Sequence, residues 1–215
     1  MDLITLTDPR SPVSEAYRTL RTNLSFYSLD APLRSLVITS PAPDEGKSTT
    51  IANLAVTMAQ SGRRTILIDC DLRRPSLHTL FNCPPAPGFT DLILSEDSNL
   101  HLRETGVENL WLIPSGTKPP NPADILGTQK VDQVIAQLQE QADIILFDAP
   151  PVVAVTDAAI LGAKVDGVLL VIQAGKTRRD HAEKAKETLQ KAHVRIVGVT
   201  LTNAPKDSSL GDYYG

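Results

Sequence analysis

The chain has 215 residues, with 21 Lys plus Arg set against 25 Asp plus Glu for a formal net charge of −4, and aromatic residues at only 4%. A hydrophobic share of 41% beside 21% charged is ordinary globular usage. It excludes fibrous and low-complexity chains and leaves material for a buried core, read here as one domain over residues 1–215. The mild acidity argues against a domain that gains affinity by neutralising nucleic-acid phosphates. Two cysteines, Cys70 and Cys83, cannot staple a chain of this size and have no metal-ligand spacing, so a reducing cytoplasm is expected. No apolar run approaches the ~18 residues needed to cross a bilayer, and the acidic Met1–Arg10 stretch is unlike a signal peptide.

In chain order, a polar helix is expected over Ser14–Ser28 with Ser14 as N-cap. Six short apolar runs follow: Leu36–Thr39, Thr65–Ile68, Leu110–Ile113, Ile144–Phe147, Val168–Ile172 and Ile196–Leu201. Most are rich in Val, Ile and Leu without alternation, as strands buried on both faces are. Helices are expected over Lys47–Ser61, Gln129–Gln141, Thr156–Lys164 and Thr177–Ala192. This alternation predicts an α/β fold, a doubly wound and mostly parallel sheet with helices on both faces. The stretch Pro114–Pro122 is expected to be irregular, because proline cannot donate a backbone hydrogen bond.

The strongest chemical signal is Ser40-Pro-Ala-Pro-Asp-Glu-Gly-Lys-Ser-Thr49, which follows a predicted strand and opens a predicted helix. A phosphate loop needs backbone N–H groups curled around the phosphates, a lysine reaching the terminal ones and a hydroxyl on Mg²⁺; Gly46, Lys47 and Ser48 supply that core. The match is partial, since Pro41 stands where the usual pattern has glycine. Asp69 and Asp71 then close one buried strand and Asp148 another, at the sheet edge where acids hold Mg²⁺ or take protons. By itself an Asp-x-Asp after a strand is as often a turn as a site. Beside a phosphate loop it completes the parts of phosphoryl transfer.

These three segments, Asp-Glu-Gly-Lys-Ser-Thr-Thr, Asp-Cys-Asp-Leu-Arg and Phe-Asp-Ala-Pro-Pro, resemble the Walker A, A′ and B motifs of the bacterial tyrosine kinases. Those are the autokinases of capsule and exopolysaccharide synthesis, related to the deviant-Walker ATPases of the P-loop class. Glu15, Arg18 and Arg21 match the Glu-x-x-Arg-x-x-Arg element by which such kinases form rings; read alone it is a solvated helix face with an i,i+3 ion pair. The resemblance implies an ATP- and Mg²⁺-dependent protein-tyrosine autokinase. Asp44, Glu45, Gly46, Lys47, Ser48, Thr49 and Asn203 would bind the nucleotide, and Ser48, Asp71 and Asp148 the metal. Lys47, Asp69 and Asp71 would be catalytic, with Asp69 accepting the proton of a tyrosine whose unperturbed pKa is about 10.

Tyr213 and Tyr214 would be the phospho-acceptors. Residues 1–34 would then serve oligomerisation, 35–203 nucleotide binding and 204–215 the tyrosine tail. The implied partners are further copies in a ring, a membrane-spanning polysaccharide copolymerase or activator that recruits the chain to the inner face of the membrane, and a tyrosine phosphatase. No nucleic-acid partner is expected. Two departures stand out: Asp44 occupies a place where the family has glycine, and the tail has only two tyrosines. Asp tolerates the left-handed conformation, so the loop can survive the first. The rival reading is a nucleotide-switched sorting or scaffold ATPase that never phosphorylates tyrosine, and a third is a pseudo-kinase that holds ATP poorly. Trp111 and Cys70 are expected to be packing residues, and His78, His101, His181 and His193 share no ligand spacing.

Overall fold

The computed structural model describes residues 2–27, 32–95 and 99–204. The elements run α1 (Ile4–Thr7), α2 (Pro12–Phe26), β1 (Ser35–Thr39), α3 (Lys47–Gln60), β2 (Thr65–Asp69), α4 (Leu77–Leu80), α5 (Phe89–Leu94) and β3 (Arg103–Glu104). They continue with β4 (Leu110–Ile113), α6 (Pro122–Gly127), α7 (Gln129–Gln141), β5 (Ile144–Asp148), α8 (Asp157–Gly162), β6 (Gly167–Gln173), α9 (Arg179–Lys191) and β7 (Ile196–Thr202). The strands form one seven-stranded sheet in the order β3-β4-β2-β5-β1-β6-β7. All neighbours are parallel except the two-residue β3, which runs antiparallel to β4.

Both faces of the sheet are covered, which explains why its strands read as unbroken apolar runs. Along β1, Val37 packs into one core with residues of α5, α7, α8 and α9, while Leu36 and Ile38 pack into the other with α2 and α3. Ile145 and Phe147 divide from Ile144 and Leu146 in the same way on β5. α3 is buried from Thr50 to Ala59, enclosed by the sheet on one side and by α1 and α2 on the other. Among the described residues no helix is long and apolar enough to cross a membrane.

The N-terminal helix begins earlier than its sequence suggests. Ser11, not Ser14, is the cap: its hydroxyl accepts the Ser14 N–H at 3.2 Å, and Pro12 occupies the first turn, where its missing N–H is no loss. Ser14 is buried, and its hydroxyl donates to the carbonyls of Asp8 and Ile4, tying α2 to α1. The short helices α1, α4, α5 and α6 and the strand β3 have too few turns or pairs to show a period, so none was expected. Trp111 is partly buried against the core on the α5 side.

The proline-rich segment after β4 is irregular up to Pro122, which opens α6, and it is held in place by the start of α5. Phe89 N–H donates to the Pro114 carbonyl at 2.8 Å and Thr90 N–H to that of Ser115 at 2.9 Å. The Asp91 carboxylate accepts from Gly88 N–H at 2.8 Å and Thr117 N–H at 3.1 Å. A Cβ at Gly88 would meet the Pro114 carbonyl oxygen at 2.2 Å and the Gly116 nitrogen at 2.5 Å, both backbone atoms. Gly88 is extended, so the constraint is close approach and not conformation. Gly88→Ala is expected to destabilise the chain by about 1–3 kcal/mol, lowering the melting temperature by several degrees in a thermal scan.

Candidate active site

The candidate site gathers at the carboxyl ends of β1, β2 and β5, the edge where parallel α/β sheets bind ligands. An open cleft of about 610 Å³ lies there. The phosphate loop forms its floor: Asp44, Gly46, Lys47, Ser48 and Thr49 all line it. Gly46 caps α3 with φ 87° and no side-chain hydrogen bond, so the first N–H groups of a fourteen-residue helix have no side chain at the cap to satisfy them. A Cβ on Gly46 would be strained by that φ and would stand 3.3 Å from the Thr202 methyl. Asp44 has φ 57°, so the residue found in place of glycine does adopt the left-handed conformation.

Glu45 differs from expectation. Its side chain is 2% exposed and turns inward: Oε2 accepts the Ala42 N–H at 3.0 Å and Oε1 accepts the Thr177 hydroxyl. Thr202 donates to the Glu45 carbonyl and Lys176 to that of Asp44, each at 2.8 Å. The Glu45 carboxylate therefore braces the loop from behind, and only its backbone can face a nucleotide. Asn203, with φ 53°, follows Thr202 beside this brace and does not line the cleft.

Lys47 lies between two acids, its Nζ 2.9 Å from Asp71 Oδ2 and 3.5 Å from Asp148 Oδ1, and it donates to the Ser48 hydroxyl at 3.1 Å. Burial acts to lower its pKa, but Asp148 and Asp71 outweigh this and the net shift is upward. Asp148 is fully buried, with Oδ1 3.5 Å from the Lys47 ammonium, and among the described residues neither of its oxygens accepts a backbone N–H. Burial pushes its carboxyl up, with Lys47 opposing. A buried carboxylate without a backbone donor, beside a serine hydroxyl and a second acid, fits Mg²⁺, which takes one or two protein carboxylates and completes its shell with water and phosphate oxygens. Among the described residues no group of three or more His, Cys, Asp or Glu could hold a metal without such help.

Asp69 and Asp148 are paired directly across β2 and β5. Asp71 reaches the cleft wall, but Asp69 does not. Asp69 is fully buried: Oδ1 accepts the Asp71 N–H at 3.2 Å, and Oδ2 accepts those of Ser76 and Leu77, each at 2.9 Å. Burial first, and Asp148 second, push its carboxyl up to about 8 against these N–H groups. Since both acids hold protons more tightly folded than unfolded, the folded chain binds extra protons between about pH 4 and pH 8, and stability falls as pH rises through that window. The ligand-free chain is expected to melt at a lower temperature at pH 8 than at pH 5.5, and D148N to flatten the slope.

Asp157 joins the site without any signal in the sequence. Arg73 Nε and Nη2 bond its two carboxylate oxygens at 2.9 Å each, and the Asp157 side chain is fully buried. An acid in the first turn of α8 gave no motif; only the fold brings it to Arg73. Of the helix element, Arg18 pairs with Glu15 at 2.7 Å, and Arg21 donates to the Thr57 carbonyl of α3 at 2.9 Å. Cys70 is buried and its thiol is pushed well up by burial, as a packing residue requires. Tyr213 and Tyr214 lie outside the described residues.

A family model described as ParA, NUBPL iron-transfer P-loop NTPase, matches residues 34–203. The tyrosine-protein kinase YwqD of Bacillus subtilis (strain 168) is 42% identical over 217 residues, covering all of this chain and 91% of that protein. The chain belongs to the bacterial tyrosine-kinase family. The putative tyrosine-protein kinase CapB of Staphylococcus aureus is 38% identical over 96% of this kinase and 92% of its own length. The kinase domain of the Escherichia coli tyrosine kinase ETK superposes with a TM-score of 0.92 at 31% identity, over 97% of this chain and 82% of that one. The Mg-ADP complex of the septum site-determining protein MinD from Pyrococcus horikoshii reaches a TM-score of 0.64 at 24% identity. That likeness shows the fold alone, and the sorting-ATPase reading falls behind the kinase.

Proposed function

We propose that this kinase transfers the γ-phosphate of ATP to Tyr213 and Tyr214 in the tail of a neighbouring copy, and so regulates capsule or exopolysaccharide synthesis at the cytoplasmic face of the membrane. The observation that carries the reading is the Lys47–Asp71–Asp148 cluster, which sets a cation and an acid on the cleft where the helix N-terminus opens, with a second, buried acid against the cation. The backbone of residues 44–49 would hold the phosphates, with Asn203 beside the base. Lys47 would exchange its acids for phosphate oxygens, being an ammonium already at their level. Ser48, Asp71 and Asp148 would hold Mg²⁺, which when bound spreads the charge of the transferring phosphoryl group.

The tyrosine oxygen forms a bond to the γ-phosphorus as the bond to the ADP oxygen breaks, and the phenolic proton passes to the enzyme. Asp71 is the carboxylate a hydroxyl in the cleft can touch. Asp69 lies behind it, its carboxyl raised by burial and by Asp148, and its Oδ1 holds the Asp71 N–H. Assembly would use the α2 face bearing Glu15, Arg18 and Arg21. Family resemblance supports a membrane-spanning activator and a tyrosine phosphatase as partners. Phosphate adds about −1.5 to −2 charges per tyrosine, so modified tails repel and favour disassembly.

Incubation of the full chain with Mg·ATP and phosphopeptide mapping tests the reading. Phosphotyrosine is expected at 213 and 214, and Y213F/Y214F is expected to remove most of the incorporated phosphate. ATP hydrolysis without phosphotyrosine, with the activator present, would instead support a nucleotide-switched scaffold.

A further inference from the structure

We infer that Arg74 selects an acidic residue beside the acceptor tyrosine, so that this cleft prefers an acidic tyrosine peptide over a neutral one; this rests on the tail-phosphorylation reading above. Three cations line the cleft: Lys47, Arg73 and Arg74. Two are already paired. Lys47 is held by Asp71 and Asp148, and Arg73 by a two-pronged bond to the buried Asp157. That second pair fastens the β2–α4 loop to the base of α8, just beyond Pro150, Pro151, Ala154 and Val155, which border the same cleft.

Arg74 is different. Its backbone N–H donates to Asp71 Oδ1 at 3.0 Å, which fixes its place next to the carboxylate where a hydroxyl must arrive. Among the described residues its exposed guanidinium makes no ion pair or hydrogen bond. A single free arginine on a loop is commonplace; the surroundings make this one selective. The apolar surface of Pro150, Pro151, Ala154 and Val155 suits the ring of a tyrosine. The interior suits phosphates and a cation. A tyrosine laid on the apolar surface brings its neighbouring residue to the rim, where Arg74 is the cation still free to take a carboxylate with a charge-assisted, two-pronged bond. The chain carries such a sequence itself: Asp212 directly precedes Tyr213.

The test is peptide phosphorylation by the full chain with Mg·ATP, using the synthetic peptides Gly-Asp-Tyr-Tyr-Gly, Gly-Asn-Tyr-Tyr-Gly and Gly-Lys-Tyr-Tyr-Gly. The rim pair is exposed, so the Asp peptide is expected to exceed the Asn peptide by about threefold to fivefold in kcat/KM, carried by KM. Arg74→Ala is expected to bring the Asp peptide down to the level of the Asn peptide, Arg74→Lys to retain part of the preference, and Arg74→Glu to favour the Lys peptide. Equal use of the Asp and Asn peptides by the unmodified chain, or a preference that survives in R74A, overturns the inference and leaves the tail reading standing. Weaker Mg·ADP binding by R74A with the Asp preference intact also overturns it and gives Arg74 to the nucleotide. Phosphorylation of none of the peptides by a chain that does phosphorylate Tyr213 and Tyr214 overturns the inference alone, and absence of phosphotyrosine from the tail as well overturns both.

Discussion

Replacing Lys47 with methionine is expected to reduce tyrosine phosphorylation by about a hundredfold or more, the usual consequence of losing one preorganised group that stabilises transferring charge. Two losses combine. Lys47 is the cation that can reach the terminal phosphates from the start of α3. It is also the counter-charge for Asp71 at 2.9 Å and Asp148 at 3.5 Å, in a place where no described backbone N–H reaches Asp148. Breaking a buried pair by removing one partner typically costs about 3–5 kcal/mol. K47M is therefore expected to melt at a lower temperature than the unmodified chain, most clearly above pH 7, where the acids must ionise without it. Calorimetric titration with Mg·ADP and a melt at two pH values separate the effects. Undiminished phosphotyrosine in K47M would remove the cluster from the mechanism.

Asp148→Asn should move stability and activity in opposite directions. The carboxylate is fully buried, faces Asp69 across the sheet and shares the Lys47 ammonium with Asp71, so in the ligand-free chain burial disfavours its charge more than Lys47 offsets it. An amide of the same shape removes that charge, while Lys47 keeps Asp71. A gain of about 1–2 kcal/mol is expected, a rise of a few degrees in melting temperature for a chain of this size. Activity should fall by about a hundredfold, because an amide is a poor ligand for Mg²⁺ and cannot offset its charge. The same substitution should reduce the extra stability that Mg·ADP confers on the unmodified chain. A D148N chain that is both less stable and fully active would show that the acid is a structural brace.

Much of this site was legible along the chain because its parts are local. Lys47 and Ser48 follow Gly46 within one turn, and Asp69 and Asp148 each end an unbroken apolar run, so in a parallel sheet they fall on one edge. Asp44 could be judged from backbone preferences, and it does adopt positive φ. Glu45 could not: its inward turn depends on Ala42, Thr177 and Thr202, the latter two more than a hundred residues away.

The layered α/β architecture, the phosphate loop and the acids at the strand ends follow from local patterning, because apolar runs and glycine impose their geometry on near neighbours. Which strand lies beside which was decided only by the tertiary structure. The order β2-β5-β1 sets Asp69 against Asp148, and the close of β5 toward α8 delivers Asp157 to Arg73. Those placements set whether a carboxylate is left without a backbone donor, capped by backbone or paired with arginine. Burial and opposing charge act through space, and the partners Asp69 and Asp148, like Arg73 and Asp157, lie far apart in the chain.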